Sequence, residues 1–161
     1  MSDGHTLGMH SYSHDYNKIY SSVEAFGKDF EKIYHHIESI TGVSPTLYRF
    51  PGGSSNTVSD IPMEQFIKYL NDRNITYYDW NALSGDAEGK EFPADEMIDR
   101  VLEGVGKYDV SVVLLHDTNV LDVTVDMLPE LIENLRKLGA DMLPITGTSS
   151  VIQHIDADSV K

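Results

Sequence analysis

Apolar residues recur along this chain in short amphipathic stretches, several of them with the spacing of a helix face. Val23, Phe26, Phe30, Ile33, Ile37 and Ile40 fall three or four apart and predict a helix over 22–40. Ser21 and Glu24 have the spacing of a capping box at its start, and Gly42 is the expected stop. Phe66, Ile67 and Leu70 predict a second helix over about 63–73, and Ile98, Val101, Leu102 and Val105 a third over 94–105. A last helix is expected over about 126–138, ending at Gly139, with Pro129 tolerable only near its first turn. Strand-like stretches lie between: 46–50 running into the turn Pro51-Gly52-Gly53-Ser54, 75–80, the run Val110 to Leu115, and Met142 to Ile145. A polar loop through Ser84, Gly85 and Gly89 follows 75–80. The continuous apolar run at 110–115 suits an interior strand covered on both faces. Strand–helix alternation of this kind implies an α/β fold with a mainly parallel sheet or a barrel. With no repeat, low-complexity tract or linker, residues 1–161 read as a single domain.

Composition narrows the function classes. The 161 residues carry 40% hydrophobic and 24% charged side chains, enough for one soluble domain with a real core. Twelve Lys and Arg stand against 26 Asp and Glu, a net charge of −14. That field opposes nucleic acid, whose binding requires a basic surface, and also anionic membranes. With no cysteine, any metal must be held by His, Asp or Glu. No apolar run approaches the roughly 20 residues of a membrane span. The opening MSDGHTLGMHSYSH lacks the basic-then-apolar pattern of a signal peptide.

Four places carry candidate chemistry. His10 and His14, four apart, would share one face of a helical turn and could bind one divalent ion; two polar side chains on an exposed turn is the bland alternative. Arg49-Phe50-Pro51-Gly52-Gly53 offers a fixed cation and a turn whose N–H groups can face an oxyanion, or simply ends a strand. Asp79-Trp80 offers a carboxylate that can orient a His and an apolar wall for a sugar face, or a cap and a core aromatic. His116, in Leu114-Leu115-His116-Asp117, sits where a strand end can present an acid or base titrating near neutrality, or is a satisfied core His. His35-His36 reads as a solvated or partly packed pair, and His154 with Asp156 and Asp158 as a polar terminus.

Taken in order, an HxxxH pair, an R-x-P-G turn, an Asp-Trp and an L-x-H-D resemble motifs two to five of the NodB-homology polysaccharide deacetylases, carbohydrate esterase family four. The resemblance runs from about Gly4 to Ile145. It implies a distorted (β/α) barrel, here incomplete and lacking the first strand–helix segment. It implies a metal-dependent hydrolase that removes acetyl groups from N-acetylated sugars, peptidoglycan or chitin-like N-acetylglucosamine polymers. His10 and His14 match the metal-binding histidines, the ion usually being zinc. Arg49 matches the arginine that pairs with the catalytic base, Pro51 and Gly52 the oxyanion-binding turn, and Asp79 the carboxylate that tunes the catalytic His. Trp80 matches the groove-lining aromatic, Leu114 a residue of the acetyl pocket, and His116 the general acid. Family habit places the parent protein in the bacterial cell envelope or outside the cell.

The sequence departs from that pattern in two places. Family members begin with a strand ending in an Asp-Asp pair that supplies the base and a third metal ligand, and no such pair occurs in these residues. Asp3 is the only acid ahead of His10 and reads as the lead-in to the second motif. Gly52 stands where an aromatic residue is common. A two-His metal site and an exposed strand edge are therefore expected, and another copy of the chain in a homo-oligomer is one way to cover that edge. The alternative function is a non-catalytic carbohydrate- or metal-binding remnant of such a domain.

Overall fold

The longest predicted helix is present in a computed structural model of the chain, which describes residues 2–118 and 122–160. After a short α1 (Tyr16–Ile19), α2 spans Val23–Thr41. Its cap is Ser22 rather than Ser21: Ser22 Oγ accepts the Ala25 N–H at 3.0 Å, while Ser21 Oγ donates to the Lys18 carbonyl at 2.7 Å and so belongs to the end of α1. Gly42 closes the helix in the left-handed region (φ 70°), with its N–H on the Glu38 carbonyl. Phe26, Phe30 and Ile37 are buried as the spacing predicts, but Ile40, in the last turn, is 70% exposed. α3 (Met63–Asn71) buries Met63, Phe66, Ile67 and Leu70.

Residues up to Asp79 together with those from Ile145 onward form one compact unit, and Trp80–Pro144 the other. In the first unit β1 (Leu47–Tyr48) pairs in parallel with β2 (Thr76–Tyr77), and Met9 bridges Tyr48 on the other side of β1. Its core is aromatic. The Phe26 ring stacks on Phe50 and meets Phe66 and Tyr48, and Phe50 meets Tyr77 edge-on. Each such fully buried ring contributes about 1.5–3 kcal/mol relative to exposure. The segment 149–157 lies along β2 and its extension as a strap. The Asp79 N–H donates to the Ile152 carbonyl at 2.7 Å, Gln153 Nε2 to the Tyr77 carbonyl at 3.0 Å, and the Tyr77 hydroxyl to the Ile155 carbonyl.

In the second unit β3 (Ala82–Leu83) pairs in parallel with β4 (Val113–Leu114), and α4 (Ala94–Val105) packs against α5 (Asp122–Lys137). Met97, Ile98 and Val101 of α4 face Met127, Leu131 and Leu135 of α5. Three expectations fail here. Residues 111–116 are half-buried, and Val110 is exposed, so the apolar run is not an interior strand covered on both faces. α5 opens earlier than predicted and holds Pro129 in its interior; burial of Met127, Leu131 and Leu135 offsets the lost N–H bond. Met142–Ile145 forms no strand, and Leu143 is largely exposed.

Among the described residues the strands are two residues long, form two separate parallel pairs and close no barrel. The architecture is α/β with parallel pairing, and the barrel expectation is not met. No described helix is long and apolar enough to cross a membrane.

Candidate functional site

The two histidines of the opening turn come together, though not by the geometry expected. Ser11 (φ 62°) and His14 (φ 51°) adopt left-handed conformations, so the turn is not helical. A helix would place the pair by its periodicity; this turn does so by hydrogen bonds. Asp29 of α2 accepts the Tyr12 N–H on Oδ1 at 2.7 Å and the Ser13 N–H on Oδ2 at 2.9 Å. Ser11 Oγ accepts the His14 N–H at 3.0 Å. The two imidazole centroids lie 5.0 Å apart, edge to face. His10 Nδ1 lies 2.8 Å from the Arg49 carbonyl. A carbonyl only accepts, so Nδ1 carries the proton and Nε2 keeps its lone pair, the tautomer a metal ligand needs. The pair therefore fits a divalent ion as two imidazole ligands; among the described residues no group of three or more His, Asp or Glu converges as a metal site.

Arg49 follows β1. Its Nε donates to the Tyr78 carbonyl at 3.3 Å and one terminal nitrogen to the Asp79 carbonyl at 3.5 Å. Burial lowers the guanidinium pKa, an effect that the Asp79 charge opposes. Pro51 is buried, and its carbonyl accepts from the Tyr20 hydroxyl at 2.7 Å. Gly52 sits at φ 77°, where an added Cβ would lie 3.1 Å from Tyr16 and 3.2 Å from Asn56. The turn's next two N–H groups are spent inside the fold, Gly53 on the Phe50 carbonyl and Ser54 on Asp79, so neither is a donor for an oxyanion.

Asp79 is fully buried. Its Oδ1 accepts the Ser54 N–H at 2.8 Å, and its Oδ2 accepts the Ser54 hydroxyl at 2.5 Å and the His154 N–H at 2.8 Å. This carboxylate ties the turn after Arg49 to the strap. His154 is thus more than a polar terminus: its backbone is part of that tie, and its Nδ1 lies 3.0 Å from Ser55 Oγ.

In the second unit, His116 leaves β4 and meets Asp86. Its Nδ1 lies 2.8 Å from Asp86 Oδ1, and its backbone N–H donates to Asp86 Oδ2 at 2.7 Å. Thr124 Oγ1 of α5 donates to the same Oδ2 at 3.2 Å. Burial pushes the Asp86 pKa up, but the ring and backbone bonds from His116 outweigh it and hold the carboxyl below its ordinary value. Ionised Asp86 makes Nδ1 of His116 the protonated nitrogen and leaves the exchangeable position at Nε2. The His116 side chain is 35% exposed against 2% for Asp86, which suits a proton donor held from behind. Leu114, in β4, and Trp80 are half-buried.

The polysaccharide deacetylase profile matches residues 1–73. A solved structure, the catalytic domain of peptidoglycan N-acetylglucosamine deacetylase from Eubacterium rectale, is 39% identical, with a TM-score of 0.89 over 96% of this chain and 71% of that one. The chain belongs to the polysaccharide deacetylase family. A putative polysaccharide deacetylase of Bacillus subtilis, YheN, is 28% identical over 85% of this chain and 47% of its own length. This deacetylase-family chain spans about half the length of the curated relatives it matches. It also shares its fold, at 22% identity and a TM-score of 0.68 over 86% of this chain and 44% of that one, with a CE4 family pseudoenzyme from Bacillus anthracis. Membership in this deacetylase family does not by itself carry activity.

Three carboxylate or hydroxyl partners of the candidate residues in this deacetylase-family chain, Asp86 in the second unit and Ser54 and Asp29 in the first, are not marked by any motif. Asp86 falls within the polar loop through Ser84, Gly85 and Gly89 and Ser54 ends the Pro51–Ser54 turn, while Asp29 carries no signal in the sequence that sets it apart. Each acts across 16 to 38 residues of sequence, where no periodic pattern reports it. Gly85 immediately before Asp86, in the left-handed region at φ 86°, is the one local sign that the loop turns there.

Proposed function

We propose that this chain carries the metal-binding and acid-donating parts of an N-deacetylase acting on N-acetylglucosamine polymers of the bacterial envelope, peptidoglycan foremost. The supporting observation is the His10–His14 pair, 5.0 Å between ring centroids and with the His10 tautomer set by the Arg49 carbonyl. Zinc is the ion we assign to it. Such an ion supplies Lewis acidity toward an amide carbonyl. His116 is the general acid. Asp86 holds its Nδ1–H; once water has added to the acetyl carbon, supplying the second oxygen of the acetate, protonated Nε2 donates to the sugar nitrogen as the carbon–nitrogen bond breaks, releasing acetate and a free amine. We assign to Asp86 the orienting role that the family resemblance gives Asp79, and to Asp79 the fixing of the Pro51–Ser54 turn. The Gly52 N–H is the oxyanion donor of that turn, Arg49 its neighbouring cation, and Trp80 and Leu114 contact the sugar and its acetyl group.

Trp80 is the single tryptophan, so intrinsic fluorescence reports on it directly. An N-acetylglucosamine oligomer should shift that emission, and a fully deacetylated glucosamine oligomer should shift it less. Calorimetry should find zinc uptake that His10→Ala/His14→Ala abolishes; equal uptake by both proteins removes the metal assignment. Acetate release by these 161 residues should be slow, because they hold no Asp-Asp pair to supply the base. Saccharide binding with no release under any metal would favour the non-catalytic reading.

A further inference from the structure

The opening turn owes its shape to one side chain outside the motif. Tyr12 and Ser13 lie between the two histidines, and their consecutive N–H groups are both taken by Asp29, one on each carboxylate oxygen, at 2.7 and 2.9 Å. Asp29 stands on α2 directly beside Phe30 and three residues after Phe26, both buried in the aromatic core, so its backbone is anchored. A second tie runs from the same helix, Lys32 Nζ lying 3.9 Å over the Tyr12 ring. The turn itself is unfavourable for its residues, since neither Ser11 nor His14 is a glycine and both have positive φ. Two charge-assisted bonds to adjacent N–H groups supply what a local sequence preference does not.

We infer that Asp29 is a positioning residue for metal binding: by clamping the Tyr12 and Ser13 amides it sets the separation and orientation of the His10 and His14 imidazoles. The inference rests on the assignment of that pair as metal ligands. Asp29 acts on the backbone between the two rings. Partners of this indirect kind commonly govern metal affinity by about 10- to 100-fold.

The test is zinc titration by calorimetry on the full chain and on Asp29→Ala, Asp29→Asn and His10→Ala/His14→Ala. Asp29→Ala should bind zinc about 10- to 100-fold more weakly. Asp29→Asn, which keeps the shape and one acceptor, should lose less, and serves if the alanine variant does not fold. In both Asp29 variants, hydrogen exchange of the Tyr12 and Ser13 amides should quicken while that of Phe30 and Phe66 stays slow, a pattern that general destabilisation does not give. Wild-type affinity in a folded Asp29 variant would overturn the inference and leave the metal pair standing. Wild type binding no more tightly than the double His variant would overturn the metal assignment, and this inference with it.

Discussion

Replacing Asp86 removes the acceptor of three donors at once, and the structure lets the cost be worked out donor by donor. The His116 backbone N–H and the Thr124 hydroxyl both end on Asp86 Oδ2, and Thr124 is 2% exposed. In Asp86→Ala both lose their partner in a largely dry place, at about 1–3 kcal/mol for each buried group left unmet. The His116 ring, 35% exposed, regains water and adds little. The net expectation is a loss of about 2–6 kcal/mol, read as a lower urea midpoint. Asp86→Asn should cost less, because the amide oxygen can still accept one N–H, but it places an NH2 group where the ring nitrogen needs an acceptor. The imidazole should then switch tautomer, from Nδ1–H in wild type to Nε2–H in the variant, an exchange visible in the nitrogen chemical shifts of His116. The pH dependence has a fixed sign. A carboxyl whose folded pKa is depressed adds stability above its unfolded pKa of about 3.9 and loses it as pH falls through the folded value. Urea midpoints of wild type and Asp86→Asn should therefore differ at neutral pH and converge in acid. Equal midpoints at pH 7, or an unchanged His116 tautomer in the asparagine variant, would refute this reading of the pair.

Gly52→Ala forces a Cβ onto a backbone at φ 77° and against Tyr16 and Asn56 at 3.1–3.2 Å, so it should destabilise by about 1–3 kcal/mol in thermal unfolding. Asp79→Ala strips the acceptor from Ser54 and from the His154 N–H, and should free the strap; limited proteolysis is expected to cut within 149–155 in the variant and not in wild type.

The distribution of these residues explains what could be read in advance. α4 was legible because Ile98 and Val101 repeat at helical spacing toward one face, and the structure buries both. The stop of α2 was legible because a left-handed cap favours glycine, and Gly42 supplies it. The burial of 110–115 was not: an apolar run shows that residues resist water, not that neighbours cover them, and Val110 stays 47% exposed. The shape of the HxxxH turn was not legible either. A spacing of four suggests a helix, whereas Ser11 and His14 take positive φ in a turn whose N–H groups donate to Asp29 and Ser11 Oγ.

The sequence by itself determined helices α2, α3 and α4, whose apolar period is a local property, and the succession of motifs that resembles the family. The tertiary structure alone decided the partners: which carboxylate stands behind His116, which one fastens the turn after Arg49 to the strap, and which one shapes the loop between the two imidazoles. Each of these bonds joins segments far apart in the chain. The path of the backbone between them is set by the packing of the core, and no short stretch of residues encodes it.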